Sequence, residues 1–181
     1  MMEGVELEMD AFSAGVADMM AGRQPQMDQA TAQEIIGKYQ QKKSQELAAM
    51  MNKKQAESKA YMAENAKKDG VVTTDSGLQY EILEEGDGAT PKATDKVIAH
   101  YEGTLIDGTV FDSSIQRGEP ATFPVNGVIQ GWQEVLQMMK EGGKWRVVIP
   151  GNLAYGPQGA GEMIGPNETL IFDIELIAIT Q

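Results

Sequence analysis

The chain of 181 residues has no cysteine and a single histidine, His100. Without cysteine, disulfides, thiolate catalysis and Cys-based zinc sites are excluded. One imidazole leaves little material for a His-rich metal site or a Ser-His-Asp triad. Residues 103–132, which are rich in aromatic side chains, have neither metal-ligand spacing nor a phosphate-binding loop, so no cofactor is expected. We expect His100 to be a structural residue of a strand.

Basic residues and long apolar runs are also scarce. The chain has 15 Lys and Arg against 27 Asp and Glu, a net charge of −12. Nucleic-acid binding depends on cationic contacts to phosphate, so no nucleic-acid partner is expected. No run of 18 apolar residues occurs, which predicts no membrane span. The first ten residues, MMEGVELEMD, do not have the pattern of a signal peptide, although a leader removed from a precursor is compatible with the sequence.

Charge and proline are distributed unevenly and divide the chain into three parts. Residues 1–27 carry five acids and one Arg (net −4), residues 28–69 carry six acids and eight Lys (net +2), and residues 70–181 carry sixteen acids and six bases (net −10). No proline lies between Pro25 and Pro91. We predict an N-terminal helical segment over 1–27, a long connecting helix over 28–69 and a globular domain over 70–181.

The first two parts have helical patterns. In the first part, apolar residues recur at helical spacing: Met9, Phe12, Val16, Met19 and Met20. A helix of about three turns is marginal alone, so this stripe is expected to pack on the other domain or on a second copy of the chain. In the second part, Thr31 and Glu34 fit a capping box, and good helix formers follow as far as Gly70. Its thin apolar stripe has no sustained heptad, which favours a solvated spacer, while a Met-bearing face that contacts client proteins is the alternative.

The third part has alternating segments separated by glycine-containing turns. The alternating segments are 77–83, 97–105, 145–149 and 170–178. One helix fits residues 131–140, with four apolar residues at i, i+3, i+4 and i+7: Trp132, Val135, Leu136 and Met139. These elements predict an α+β fold in which an antiparallel sheet curls over one short helix, preceded by the long helical arm.

The stretch 103–132, GTLIDGTVFDSSIQRGEPATFPVNGVIQGW, combines spaced aromatic residues with one carboxylate, Asp112, and one guanidinium, Arg117. It contains no nucleophile–base pair. An aromatic pocket with few polar groups suits a reaction that transfers no group and only twists a bond. Taken singly, each residue also has a plainer interpretation: Trp132 as core, Asp112 as the cap of a turn and Arg117 as a solvated surface residue.

Five collinear motifs between residues 77 and 176 resemble the FK506-binding proteins (FKBPs), which are peptidyl-prolyl cis-trans isomerases. The motifs are GLQYEIL, HYEGTLIDGTVFDSS, VIQGW, IPGNLAYG and GPNETLIFDIEL. The helical region before them resembles that of Mip- and FkpA-type envelope isomerases. The resemblance implies isomerisation of X-Pro bonds in folding proteins, client binding by the arm and dimer cleft, and inhibitors of the FK506/rapamycin type. It also implies a homodimer formed by the N-terminal helices, located in the periplasm or cell envelope of a Gram-negative bacterium, with the cytoplasm as the alternative.

The resemblance further implies a pocket. Its catalytic residues would be Trp132 as the floor, Phe172 as a wall, Tyr155 as a hydroxyl donor to the substrate carbonyl, and Asp112, which acts electrostatically and not as a general base. Substrate and inhibitor contacts would come from seven further residues: Tyr101, Phe111, Arg117, Phe123, Val128, Ile129 and Ile164. The backbone N–H of Ile129 would bind a ligand carbonyl, and Ile164 would close one side from the loop over 156–167.

Three departures from the family pattern affect these expectations. Ala121 stands where many FKBPs carry Phe, and the loop GPQGAGEMIGPNE places Met163 beside Ile164. The further helix that normally precedes 9–20 in the dimer module is absent, so we expect either a shortened module or a different dimer.

A holdase with incidental isomerase activity, motivated by the Met-rich arm, is the second hypothesis for the function of the protein. A structural spacer with a degenerate domain is the third.

Overall fold

The structure is a computed structural model that describes Gly22 and residues 29–180, with side chains in the first helix from residue 33 onward. The predicted segment over 1–27, apart from Gly22, and the Thr31 side chain of the predicted capping box therefore lie outside the described residues.

The helix α1 spans Gln29–Asn65 and corresponds to the predicted connecting helix. It ends four residues before the predicted boundary at Asp69, and turns at 66–70 lead into the first strand. The chain divides into two compact units, Met1–Ala49 and Met50–Gln181, so the division falls inside α1. Within residues 29–180, no helix combines the length and apolarity that a bilayer crossing requires.

The seven strands are β1 (Val71–Thr73), β2 (Gln79–Glu84), β3 (Lys96–Leu105), β4 (Val110–Ser113), β5 (Ala121–Pro124), β6 (Lys144–Ile149) and β7 (Leu170–Thr180). They form an antiparallel sheet in the order β1-β2-β6-β7-β3-β4, and β5 pairs with β3. Two short helices interrupt the strands, α2 (Ser114–Arg117) and α3 (Gln130–Leu136).

One face of the sheet packs on α3 and forms the core. The alternating residues of β7 that share this face, Leu170, Phe172, Ile174 and Leu176, are all buried. The register shifts between Ile98 and Ala99 in β3 and between Ile82 and Glu84 in β2, and such bulges increase the bend of a strand. The predicted α+β fold, an antiparallel sheet with one short helix after a long helical arm, is confirmed.

The helix α3 lies very close to the sheet because Gly131 has no side chain. A Cβ at Gly131 would stand 2.5 Å from Ile149 Cγ2 on β6. The helix is shorter than the predicted 131–140, since the N–H groups of Met138 and Met139 both bind the carbonyl of Val135 and tighten the last turn. Met139 is nevertheless fully buried, as its spacing predicts.

The last turns of α1 pack on the other face of β2. The Asn65 amide donates to Gln79 Oε1 at 2.9 Å, and Gln79 Nε2 donates to the Met62 carbonyl at 2.9 Å. Asn65 and Gln79 are both buried, so these hydrogen bonds satisfy polar groups that water does not reach. This end of α1 is therefore part of the same compact unit as the sheet.

Candidate functional site

A cavity of about 300 Å³ opens on the core side of the sheet, next to α3. Six of the eleven aromatic residues in the chain (five Tyr, four Phe and two Trp) line it. The lining residues are Tyr101, Phe111, Asp112, Phe123, Gly127, Val128, Ile129, Trp132, Tyr155 and Phe172. A mostly apolar cavity with few polar groups is the usual form of a small-molecule or side-chain binding site.

The indole of Trp132 is held by rings on three sides. It meets Tyr101, Phe123 and Phe172 in edge-to-face arrangements, with centroid distances of 5.3, 5.5 and 5.3 Å. Each such pair stabilises its geometry by about 0.5–1.5 kcal/mol beyond simple burial. Trp132 is only 4% exposed and still lines the cavity, so its ring is a rigid apolar surface at the base of the opening.

A glycine on β3 gives the phenylalanine walls their positions. In the pairing register, Gly103 lies opposite Phe172 on β7 and opposite Asp112 on β4. A Cβ at Gly103 would stand 2.6 Å from Phe111 Cζ and 2.8 Å from Phe172 Cε1. The two rings therefore occupy the space that any side chain at position 103 would take.

Asp112, Tyr101 and Arg117 form a hydrogen-bonded triangle at the edge of the cavity. The Tyr101 hydroxyl donates to Asp112 Oδ2 at 2.5 Å, Arg117 Nη2 donates to that hydroxyl at 2.8 Å, and Arg117 Nη1 donates to Asp112 Oδ1. The guanidinium also lies over the Tyr101 ring, 5.6 Å from its centroid. Arg117 is itself placed by α2, whose first turn is capped by the Ser113 hydroxyl and not by Asp112.

The triangle keeps Asp112 ionised. Burial acts to raise the pKa of Asp112, but the hydrogen bonds from Tyr101 and Arg117 outweigh it, so the pKa lies below its ordinary value of 3.8. Burial and the bond to Asp112 raise the pKa of Tyr101, and the hydrogen bond to Asp112 raises the pKa of Arg117. At neutral pH the edge therefore carries a carboxylate, a neutral phenol and a guanidinium.

The backbone of Tyr101 is fixed from behind the cavity by a buried hydroxyl. Ser114 Oγ accepts from the Tyr101 N–H at 2.7 Å and lies 3.0 Å from His100 Nδ1. His100 lies on β3, and neither His100 nor Ser114 lines the cavity. No group of three or more His, Asp or Glu residues within the described part of the chain is arranged to hold a metal ion.

Nine of the eleven site residues implied by the family resemblance line the cavity. Arg117 does not line it and reaches it through Asp112 and Tyr101. Ile164 does not line it either. Its side chain is 9% exposed and packs in the adjoining core, and its backbone pairs with that of Ala160. Sequence reasoning missed Gly127 and Gly103. A glycine within an alternating strand signals a close approach and points to Gly103.

Family models match nearly the whole chain. The model described as FKBP-type peptidyl-prolyl cis-trans isomerase matches residues 88–177, and the model described as the domain amino terminal to FKBP-type peptidyl-prolyl isomerase matches residues 1–82.

Several curated and solved proteins are similar over most of the chain. The FKBP-type 22 kDa peptidyl-prolyl cis-trans isomerase of Escherichia coli (strain K12) is 46% identical, over 94% of this chain and 82% of that protein. The outer membrane protein MIP of Legionella longbeachae is 44% identical, over 98% and 78%. The crystal structure of FkpA from Escherichia coli matches with a TM-score of 0.77 at 39% identity, covering 98% of this chain and 84% of that one.

Proposed function

Since the chain belongs to the FKBP-type peptidyl-prolyl cis-trans isomerase family, we propose that the cavity over the Trp132 indole is where it isomerises X-Pro bonds. The observation that carries the proposal is an open aromatic cavity with an ionised carboxylate at its edge and no nucleophile–base pair in its lining. That composition matches a reaction in which no covalent bond is made or broken.

The barrier to rotation about an X-Pro bond arises from amide resonance and amounts to about 18–20 kcal/mol. The twisted transition state loses that resonance and has a less polar carbonyl, so water favours the planar ground state over it. A cavity lined by aromatic rings removes this bias when the proline ring lies on the indole of Trp132 and water is displaced. Phe172 and the other rings then hold the proline while the preceding carbonyl rotates.

Polar groups at the opening orient the rotating carbonyl. We assign the Tyr155 hydroxyl and the Ile129 backbone N–H as donors for substrate carbonyls, since both residues line the cavity. The rim turn that carries Ile129 is held by Gln133 Nε2, which donates to the Val128 carbonyl at 2.7 Å. The Asp112 carboxylate acts through its field on the rotating bond and by fixing Tyr101, because its lowered pKa makes it a poor proton acceptor.

The test compares the two tryptophans of the chain. Trp132 and Trp145 are buried almost equally, at 4% and 5% exposure, but only Trp132 lines the cavity. We expect the protein to accelerate cis-to-trans conversion of a proline-containing peptide and a rapamycin-type macrolide to compete for the cavity. Trp132→Leu is expected to weaken both effects, whereas the matched control Trp145→Leu keeps them under conditions where both variants are folded. No acceleration by the wild type at micromolar concentration contradicts the assignment, as does equal retention of activity and macrolide binding in both variants.

We also propose that the helical arm binds client proteins. The supporting observation is a set of large apolar side chains that are exposed on α1: Ile35, Ile36, Tyr39, Leu47 and Met50. Dimerisation through the N-terminal helices brings two such arms together. The location that we propose is the bacterial cell envelope and not the cytoplasm, since one similar protein is named as an outer membrane protein. Unfolded or partly folded polypeptides that contain proline are the clients.

Aggregation assays with separate parts of the chain test the client-binding proposal. The full chain is expected to suppress aggregation of a refolding protein better than residues 70–181 alone, and sedimentation is expected to show a dimer of the full chain. Equal protection by the isolated domain contradicts the role of the arm. A full chain that sediments as a monomer contradicts the dimer cleft.

A further inference from the structure

The backbone around Tyr155 is held on both sides by one residue, Asn167. On one side, a Cβ at Gly151 would stand 2.6 Å from the carbonyl carbon of Asn167, so the two backbones are in direct contact. On the other side, the Asn167 N–H donates to the Gly156 carbonyl at 2.8 Å. A shift of Asn167 therefore moves the segment that presents the Tyr155 side chain to the cavity.

Asn167 needs support from its surroundings. Its φ is 54°, and within the described residues it is the one non-glycine residue with a positive φ. Such a backbone conformation is sparsely populated and persists where neighbouring structure holds it in place. The next two residues, Glu168 and Thr169, are buried at 7% and 0% exposure.

The helix α1 binds these two residues. Lys54 Nζ lies 2.8 Å from Glu168 Oε1, and the hydroxyls of Ser58 and Thr169 lie 2.5 Å apart. Lys54 and Ser58 are four residues apart in α1 and so lie on the same face of the helix. The hydrogen bond to Glu168 raises the pKa of Lys54, so the ammonium stays charged. All four residues belong to the compact unit Met50–Gln181.

We propose that Lys54 is a positioning residue for the isomerase reaction and that it acts through Glu168 and Asn167 on the orientation of Tyr155. This proposal rests on the proposed function of the cavity. Without the ammonium, the Glu168 carboxylate is buried and uncompensated, and a buried charge in that state moves toward water. That movement releases Asn167 from its positive φ and loosens Tyr155. Since Lys54 does not line the cavity, the proline still binds and the rotation step is affected.

The test replaces Lys54 and, as a matched control, its neighbour Lys53. The Lys53 side chain is 76% exposed and lies 3.8 Å from Glu57, whereas Lys54 is 33% exposed. In the full chain, we expect Lys54→Met to lower kcat about 3–10-fold, at most the effect of losing the hydrogen bond that Tyr155 donates in the transition state, with KM within about twofold. Lys53→Met is expected to match the wild type, and Lys54→Arg to retain most of the kcat.

Hydrogen–deuterium exchange gives a readout that does not depend on activity. We expect the amides of residues 156–167 to exchange about tenfold faster in Lys54→Met than in Lys53→Met, with β3 unchanged. Adding Glu168→Gln to Lys54→Met removes the buried charge and is expected to restore part of both losses. A Lys54→Met variant with a lower Tm but unchanged kcat and unchanged exchange overturns the proposal. An inactive wild type instead refutes the proposed function, and the exchange experiment still decides whether Lys54 holds this segment.

Discussion

Replacing Gly103 with alanine tests whether the aromatic walls are positioned by the absence of a side chain on β3. The added Cβ would stand 2.6 Å from Phe111 Cζ and 2.8 Å from Phe172 Cε1. Carbon atoms rest at about 3.5–4.0 Å from each other, so the Phe111 ring must retreat by roughly 1 Å. The ring lines the cavity, so this retreat changes the shape of the site.

Two magnitudes follow from this displacement. Overpacking of this kind costs about 1–3 kcal/mol of unfolding free energy. The unfolded chain has less conformational freedom with alanine than with glycine, and this difference offsets about 0.5–1 kcal/mol of that cost. A misplacement of about 1 Å can lower a catalytic rate by up to about 100-fold, so we expect kcat/KM to fall at least tenfold.

The assay follows cis-to-trans conversion of a proline-containing peptide at about 10 °C, where the uncatalysed reaction takes minutes. Urea unfolding of the same variant gives its free energy of unfolding. The matched control is Gly37→Ala in α1, where a Cβ meets nothing within 4 Å, and we expect unchanged kcat/KM there. Adding Phe111→Leu to Gly103→Ala removes the clashing Cζ atom and is expected to recover part of the lost stability.

Two results refute this reasoning. If Gly103→Ala unfolds at a higher urea concentration than the wild type, as the lower entropy of its unfolded chain alone would produce, then the rings are not packed tightly against the backbone of β3. If it loses stability but keeps its kcat/KM, then the position of the Phe111 ring does not govern the reaction.

Three further predictions concern polar groups. Because the pKa of Asp112 is lowered, the charge that its carboxylate contributes to the site is present above pH 3.8 and is lost as the pH falls through the lower folded-state pKa. We expect kcat/KM measured from pH 8 down to pH 3 to stay level until the pH is below 3.8. A decline already at pH 5–6 would contradict this. Tyr155→Phe is expected to lower kcat about 3–10-fold, equivalent to one hydrogen bond of about 1 kcal/mol, in the same peptide assay, and an unchanged kcat would remove Tyr155 from the reaction. Gln79→Ala leaves the buried Asn65 amide without its acceptor and is expected to lower the unfolding free energy by about 1–3 kcal/mol in urea titrations, whereas a neutral effect would mean that water replaces the lost bond.

The strands and their buried faces were predictable because their information is local. In a strand, side chains two residues apart share a face, so the alternation in β7 predicted which of its residues enter the core. The 3.6-residue period likewise placed Trp132 and Met139 on one face of the predicted helix 131–140, of which α3 forms the part that ends at Leu136. The end of that helix was predicted less well, since the carbonyl of Val135 accepts two N–H groups in a tightened turn that no spacing rule specifies.

Contacts between distant residues were not predictable in the same way. Lys54 and Glu168 are both ordinary charged residues in the sequence, and nothing close to either in the chain marks them as a pair. Gly127 in the cavity lining and the Asn167 contact with Gly151 belong to the same category. Each depends on how complete elements pack against one another.

The amino-acid sequence by itself determined the strand and helix faces, the family motifs and the lack of cysteine chemistry, because periodicity and residue type can be read along the chain. Periodicity does not distinguish Trp132 from Trp145, and only the family resemblance implied a pocket over Trp132; in the tertiary structure Trp132 lies at the base of an open cavity while Trp145, equally buried, is enclosed in the core. A cavity is a gap left where β3, β4, β5, β7 and α3 fail to fill the space between them. Its existence is a property of their packing, and no single segment contains it.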